Sequence, residues 1–128
     1  MAKTVVRTDR APSSLAGYSQ GIKAGGMVYV SGMAGVDPAT GKPVGATIQE
    51  QTAQSLRNVQ AVLEEAGSSL DRVVWAIWSL RDPEDFDGFN AEWSNWFPAD
   101  PPARHGARMP LPDRLSGLLV SIGVIAEA

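Results

Sequence analysis

TIQEQTAQSLRNVQAVLEEAGSSLDRVVWAIWSL, residues 47–80, holds one helix and one strand with legible boundaries. Thr47 stands three residues before Glu50. That is the spacing of a capping box, in which the hydroxyl accepts from an orphan amide and the glutamate reaches back. Ile48, Leu56, Val59 and Leu63 fall on one stripe at helical spacing, with small Thr52 filling the gap. Gly67 follows Ala66, where a left-handed stop belongs. The pattern predicts an amphipathic helix over 47–66. Val73 to Leu80 reads as a strand, apolar on both faces, central in a sheet covered on both sides.

Toward the N-terminus, residues 4–7 read as a short strand and Thr8 to Gly17 as a loop rich in proline, serine and glycine. Tyr18 to Lys23 alternates, Ala24-Gly25-Gly26 turns, and Met27 to Ser31 is β-rich, which together predict a hairpin. Asp37 to Pro43 has turn chemistry. Toward the C-terminus, Asp82 as N-cap and Pro83 at the first position open a second helix. Phe86, Phe89, Trp93 and Trp96 or Phe97 form its aromatic stripe, read as core packing, and Pro98 ends it. Ala103 to Met109 is extended, Pro110-Leu111-Pro112-Asp113 is a loop, and Leu118 to Ala126 is the last strand.

The order β, β, β, α, β, α, β, β carries no dinucleotide-binding fingerprint and no internal repeat. It predicts an α+β fold, a mixed β-sheet with two helices packed on one face. Two helices leave the other face open. If Trp75, Ile77 and Val120 or their neighbours point there, that face needs a partner, so an oligomer is expected.

A chain of 128 residues fits one domain, 1–128, with enough core to stand without staples. The sequence has no cysteine and one histidine, His105, which excludes disulfides, thiolate metal sites and a histidine cluster within the chain. The formal charge is −3, and the basic residues are scattered. Nucleic acid is therefore not expected as a partner. No apolar run approaches the roughly 18 residues of a membrane span, and the N-terminal apolar stretch is too short for a signal peptide. A cytoplasmic location is the expectation.

Pro101-Pro102-Ala103-Arg104 is the stretch with the most chemistry. The prolines stiffen the approach, and the planar guanidinium can grip a carboxylate through two parallel hydrogen bonds.

Several ordered motifs then resemble one family. They are Gly17-Tyr18-Ser19-Gln20-Gly21, Val28-Tyr29-Val30-Ser31-Gly32, Asp37-Pro38-Ala39-Thr40-Gly41, Gln51-Thr52 through Asn58-Val59, and Leu63 through Asp71. Asp82, Phe86, Asn90, Pro102-Ala103-Arg104 and Ile125-Ala126 complete the set. From about Ala11 onward the chain resembles the Rid family, the YjgF-type reactive-intermediate deaminases. The resemblance implies a chorismate-mutase-like subunit in a homotrimer, with ligand sites in the clefts between subunits. It implies hydrolysis of short-lived enamines and imines to keto acids and ammonia, with no cofactor and no metal. Arg104 would bind the substrate carboxylate, Tyr18 and Ser31 would contribute to catalysis at the pocket, and Asn90 would belong to the binding set.

The chain departs from that family at three places. The last strand, Val120-Ser121-Ile122-Gly123-Val124-Ile125-Ala126, carries Ser121 where the family has a water-activating glutamate, and Gly123 at a second acidic position. A serine hydroxyl is no general base near neutral pH without a partner to take its proton. Met33 stands where glutamine is common, so a polar wall of the binding site becomes apolar and a larger or greasier ligand is expected. His105 replaces a serine or threonine and has the right chemistry for proton exchange. Adjacent strand residues face opposite ways, however, so His105 points away if Arg104 points in. Of the four tryptophans, one on a strand is the better candidate to line the cleft.

Three readings follow. The first is a deaminase of small carboxylated imines, with Arg104, Tyr18 and Ser31 as catalytic residues and Met33, Asn90 and Ser121 at the substrate. The second is a diverged enzyme that tautomerises or hydrolyses a bulkier intermediate. The third is a trimer that binds a small acid without turning it over.

Overall fold

The computed structural model describes residues 2–14, 17–109 and 117–128. Six strands form one sheet in the order β1-β2-β3-β6-β4-β5. They are β1 (Thr4–Val6), β2 (Gly21–Ala24), β3 (Met27–Ala34), β4 (Val73–Leu80), β5 (Ala103–Arg108) and β6 (Val120–Glu127). Every pair is antiparallel except β4–β5, which is parallel. The β4–β5 crossover is the segment that carries the second helix, as a parallel connection requires. Helices α1 (Ile48–Glu65) and α2 (Phe86–Trp96) follow β3 and β4.

The sequence signals for α1 are realised. Thr47 Oγ1 accepts from the Glu50 amide at 3.2 Å, and Glu50 Oε1 accepts from the Thr47 amide at 3.3 Å. Gly67 adopts φ 83° after the Ala66 cap. Ile48, Thr52, Leu56, Val59 and Leu63 are all buried.

A second buried row on α1 is polar. Gln51, Ser55 and Asn58, at i, i+4 and i+7, are completely buried. Gln51 Nε2 donates to the carbonyls of Gly45 (2.9 Å) and Gly117 (2.8 Å), and its Oε1 accepts from the Leu119 amide at 2.9 Å. Ser55 Oγ donates to the Met33 carbonyl, and Asn58 Nδ2 to those of Ala34 and Val36. Buried polar groups persist only when so satisfied. This row ties the helix to the end of β3 and the entry to β6.

The second helix opens differently from the sequence reading. Asp82 makes no side-chain cap and precedes a 3₁₀ turn, Pro83–Asp85, after which α2 begins at Phe86. The expected loop at Pro110-Leu111-Pro112-Asp113, and Leu15 and Ala16 of the first loop, lie outside the described residues.

Alternation sorts each strand between the faces. Val120, Ile122, Val124 and Ala126 of β6 and Ala76 of β4 are buried beneath the helices. Val120 therefore belongs to the helix side, not to the open face considered for it. The open face carries Tyr29, Trp75, Ile77, Ser79, Ser121, Gly123 and Ile125 around a cavity of about 330 Å³. Ile77 is 56% exposed there, so β4 is covered by helices on one side only.

A β-bulge between Val30 and Met33 shifts the alternation of β3. Val28 and Val30 face the helices, and the extra residue turns Met33 to the same side, where it is 4% exposed in the core. Met33 thus packs beneath α1 and is not a wall of a binding site. An unbroken period of two would have turned it to the other face.

Candidate active site

Arg104 lies on β5 opposite Ala76 of β4, and parallel partners share a face, so its side chain runs beneath α2. Arg104 Nη2 donates to Asn90 Oδ1 at 2.5 Å. Four rings surround the guanidinium. Cζ stands 5.0 Å from the ring centroid of Trp93, 5.6 Å from Phe89, 5.8 Å from Trp78 and 5.9 Å from Phe86. The aromatic stripe of α2 is core as expected, with Phe89, Trp93 and Phe97 buried, but it also walls the arginine. The sequence reading missed that second role. The signal available was Phe86, Phe89 and Trp93 at i, i+3 and i+7 with an arginine on the following strand.

The electrostatics of this arginine are unusual. No carboxylate among the described residues pairs with it, and Nη1 is buried with no hydrogen-bond partner. Burial pushes its pKa below the usual arginine value. Cation–π contacts of about 0.5–2 kcal/mol offset part of the desolvation, which costs several kcal/mol for a fully buried ion. A guanidinium left short of acceptors is a ready anion site. A planar carboxylate matches its fork.

Gly106 is the next β5 residue on the same face, paired with Trp78. A β-carbon at 106 would fall within the Trp78 indole, so only glycine lets that ring pack against the strand backbone. The strand tryptophan that reaches Arg104 is therefore Trp78. Trp75 belongs to the open face.

The other expected site residues lie elsewhere. Ser31 Oγ donates to the Ser19 carbonyl at 2.6 Å, beside the bulge of β3, and Tyr18 is 47% exposed at the same end. Three strand steps separate β3 from β5, roughly 14 Å at the usual spacing. Ser121 is on the open face, where a β-carbon on Gly32 would stand 2.7 Å from its Oγ. Arg104 and Ser121 thus face opposite sides of one sheet. His105 pairs with Ile77 on the open-face side and is exposed, turned away from Arg104 as alternation requires. One chain joins Arg104 to Asn90 and Ser121 to Gly32, but does not bring the two sets together.

Residues 8–128 match the family model described as Endoribonuclease L-PSP. The chain belongs to this family, the Rid family. A RutC family protein of Saccharolobus solfataricus is 42% identical over 128 residues, 98% of each chain. The Rid relatives include Reactive Intermediate Deaminase A, chloroplastic, of Arabidopsis thaliana, 41% identical over 80% of this chain and 54% of that protein. They also include the 2-iminobutanoate/2-iminopropanoate deaminase of Capra hircus, 33% identical over 81% of this chain and 76% of that one. Among solved structures, a putative endoribonuclease L-PSP from Entamoeba histolytica superposes with a TM-score of 0.91 at 42% identity, covering 99% of this chain and 100% of that one. The Rid subunit fold, an α+β chorismate-mutase-like sheet with two helices, is the fold described above. No helix among the described residues is long and apolar enough to cross a membrane.

Proposed function

We propose that this protein hydrolyses reactive imines and enamines of carboxylated substrates to keto acids and ammonia. The observation that carries the reading is the guanidinium of Arg104, held by Asn90 among four rings, with one nitrogen unpartnered and no carboxylate paired with it among the described residues. Two Rid relatives named as deaminases support the same chemistry.

In this mechanism Arg104 holds the substrate carboxylate and fixes the adjoining C=N bond, so catalysis is chiefly by positioning. An enamine first takes a proton at its β-carbon and gives one up from nitrogen, becoming the imine. Water adds to the imine carbon, its oxygen forming the new C–O bond while a proton passes to nitrogen. The resulting amino alcohol passes its hydroxyl proton to the amino nitrogen, through water, as the C–N bond breaks. The C=O bond closes and nitrogen leaves as ammonia. Ser121 does not accept the proton from water unaided, so the attacking water relies on orientation and on carbonyl acceptors. Tyr18 and Ser31 shape the far wall.

Arg104 and Ser121 point to opposite sides of the sheet, and Ser31, bonded to the carbonyl of Ser19 next to Tyr18, lies three strands from Arg104. A site using both sets takes them from two chains. The apolar open face with Tyr29, Trp75 and Ile77 supports assembly through that surface, and a homotrimer is the arrangement we propose. Light scattering should give three times the 13.6 kDa chain mass, and a monomer would remove the shared site.

Ser121 favours a second reading, a trimer that binds an acid and turns over its imine slowly or not at all. Imino acids generated in situ by an amino-acid oxidase and trapped with semicarbazide separate the two. The deaminase reading expects wild type to speed imine loss. If imine decays at the buffer rate with wild type and faster only with Ser121→Glu, the binding reading replaces it.

A further inference from the structure

Trp78 and Phe86 each face two features at once. Their rings lie within 6 Å of the Arg104 Cζ and 5.5 Å from each other. The same two rings wall a cavity of about 270 Å³, completed by Leu80, Pro83, Ala107 and Arg108. Apart from Arg108 its wall is built of apolar side chains. A cavity of about 150 Å³ lined by apolar side chains is enough to hold benzene, so this one accepts an aryl group, and a methyl or ethyl group would leave most of it empty. An apolar cavity of about 330 Å³ on the opposite face of the sheet cannot take the side chain of a ligand anchored on this chain's Arg104. Gly106 maintains the arrangement, because any side chain there would displace the indole.

We propose that this protein selects carboxylates with an aromatic or similarly large apolar side chain, the carboxylate on Arg104 and the side chain against Trp78 and Phe86 in this cavity. The inference rests on Arg104 as the carboxylate anchor. Trp78 and Phe86 are its specificity-determining residues, since apolar complementarity discriminates by the area a side chain buries.

Calorimetric titration with two stable keto acids, pyruvate and phenylpyruvate, tests it on wild type, Trp78→Leu, Phe86→Leu and Arg104→Ala. Phenylpyruvate is expected to bind wild type at least about tenfold tighter than pyruvate. Each leucine variant should cut that preference to below about threefold, the loss falling more heavily on phenylpyruvate than on pyruvate. Phe86 is 37% exposed, so Phe86→Leu carries the test if Trp78→Leu does not fold. Equal affinities in wild type, or a preference that survives in the leucine variants, overturn the proposal. In that event, loss of both ligands in Arg104→Ala leaves the carboxylate anchor standing. Unchanged binding in Arg104→Ala removes the anchor and the selectivity together.

Discussion

Arg104 Nη2 donates a 2.5 Å hydrogen bond to Asn90 Oδ1, joining an edge strand to the helix above it. The acceptor is a neutral amide where an ion pair would have closed the site. That choice holds the guanidinium in place with no carboxylate paired to it among the described residues.

Asn90→Asp would supply the missing counter-ion. A carboxylate at hydrogen-bond distance from a partly buried guanidinium stabilises the fold, so the melting temperature should rise, by about 1–3 kcal/mol in stability. The same carboxylate competes with the ligand, so keto-acid affinity should fall by at least about tenfold. Thermal melts and calorimetry on one preparation test both directions.

Gly106→Ala forces the Trp78 indole off the strand. Overpacking of this kind costs about 1–3 kcal/mol. Trp78→Leu removes the obstruction, so the double variant should lose less than the sum of the two single changes. A denaturant-melt cycle with additive losses would refute this packing relation.

Gln51→Leu tests the polar row on α1. It strands the carbonyls of Gly45 and Gly117 and the amide of Leu119, all bonded to Gln51. Each buried group left unsatisfied costs about 1–3 kcal/mol. Stability should fall by more than about 2 kcal/mol in urea melts, although leucine is the more apolar residue.

Asp85 gives the pH dependence. Burial first, then the charges of Asp82 and Glu84, raise its pKa above 3.8. A carboxyl group whose folded pKa is raised binds its proton more tightly in the native state. Its stabilising contribution is therefore full below pH 3.8 and is lost as pH rises through the folded value. At pH 7 the ionised group is mildly destabilising, and Asp85→Asn should add up to about 0.5 kcal/mol after solvent screening. The gain should vanish below pH 3.8, as melts across that range would record.

Helix α1 and the strand Val73–Leu80 were legible because their signals are local: a capping box, a stripe of period 3.6 and a β-branched run. Met33 was misjudged because the bulge that turns it inward depends on how β3 meets β6 across the sheet. Asp82 looked like a cap from its neighbours, but the chain spends three residues in a 3₁₀ turn before α2 begins. The stripe on α2 was legible as apolar, while its place over Arg104 is set by the β4–β5 crossover. Arg104 itself was singled out from its prolines and its charge. That its hydrogen-bond partner is the amide of Asn90 and not a carboxylate is a fact of packing, beyond the reach of the linear chain.

The central claim is that Arg104 holds the carboxylate of the imine being hydrolysed. Comparing kcat/KM for semicarbazide-trapped imino acids between wild type and Arg104→Ala tests it most directly, with circular dichroism to verify the fold. A fall of at least about 100-fold in a folded variant is the predicted result, the scale of losing a charged, bidentate contact. Equal kcat/KM in the two proteins would contradict the account.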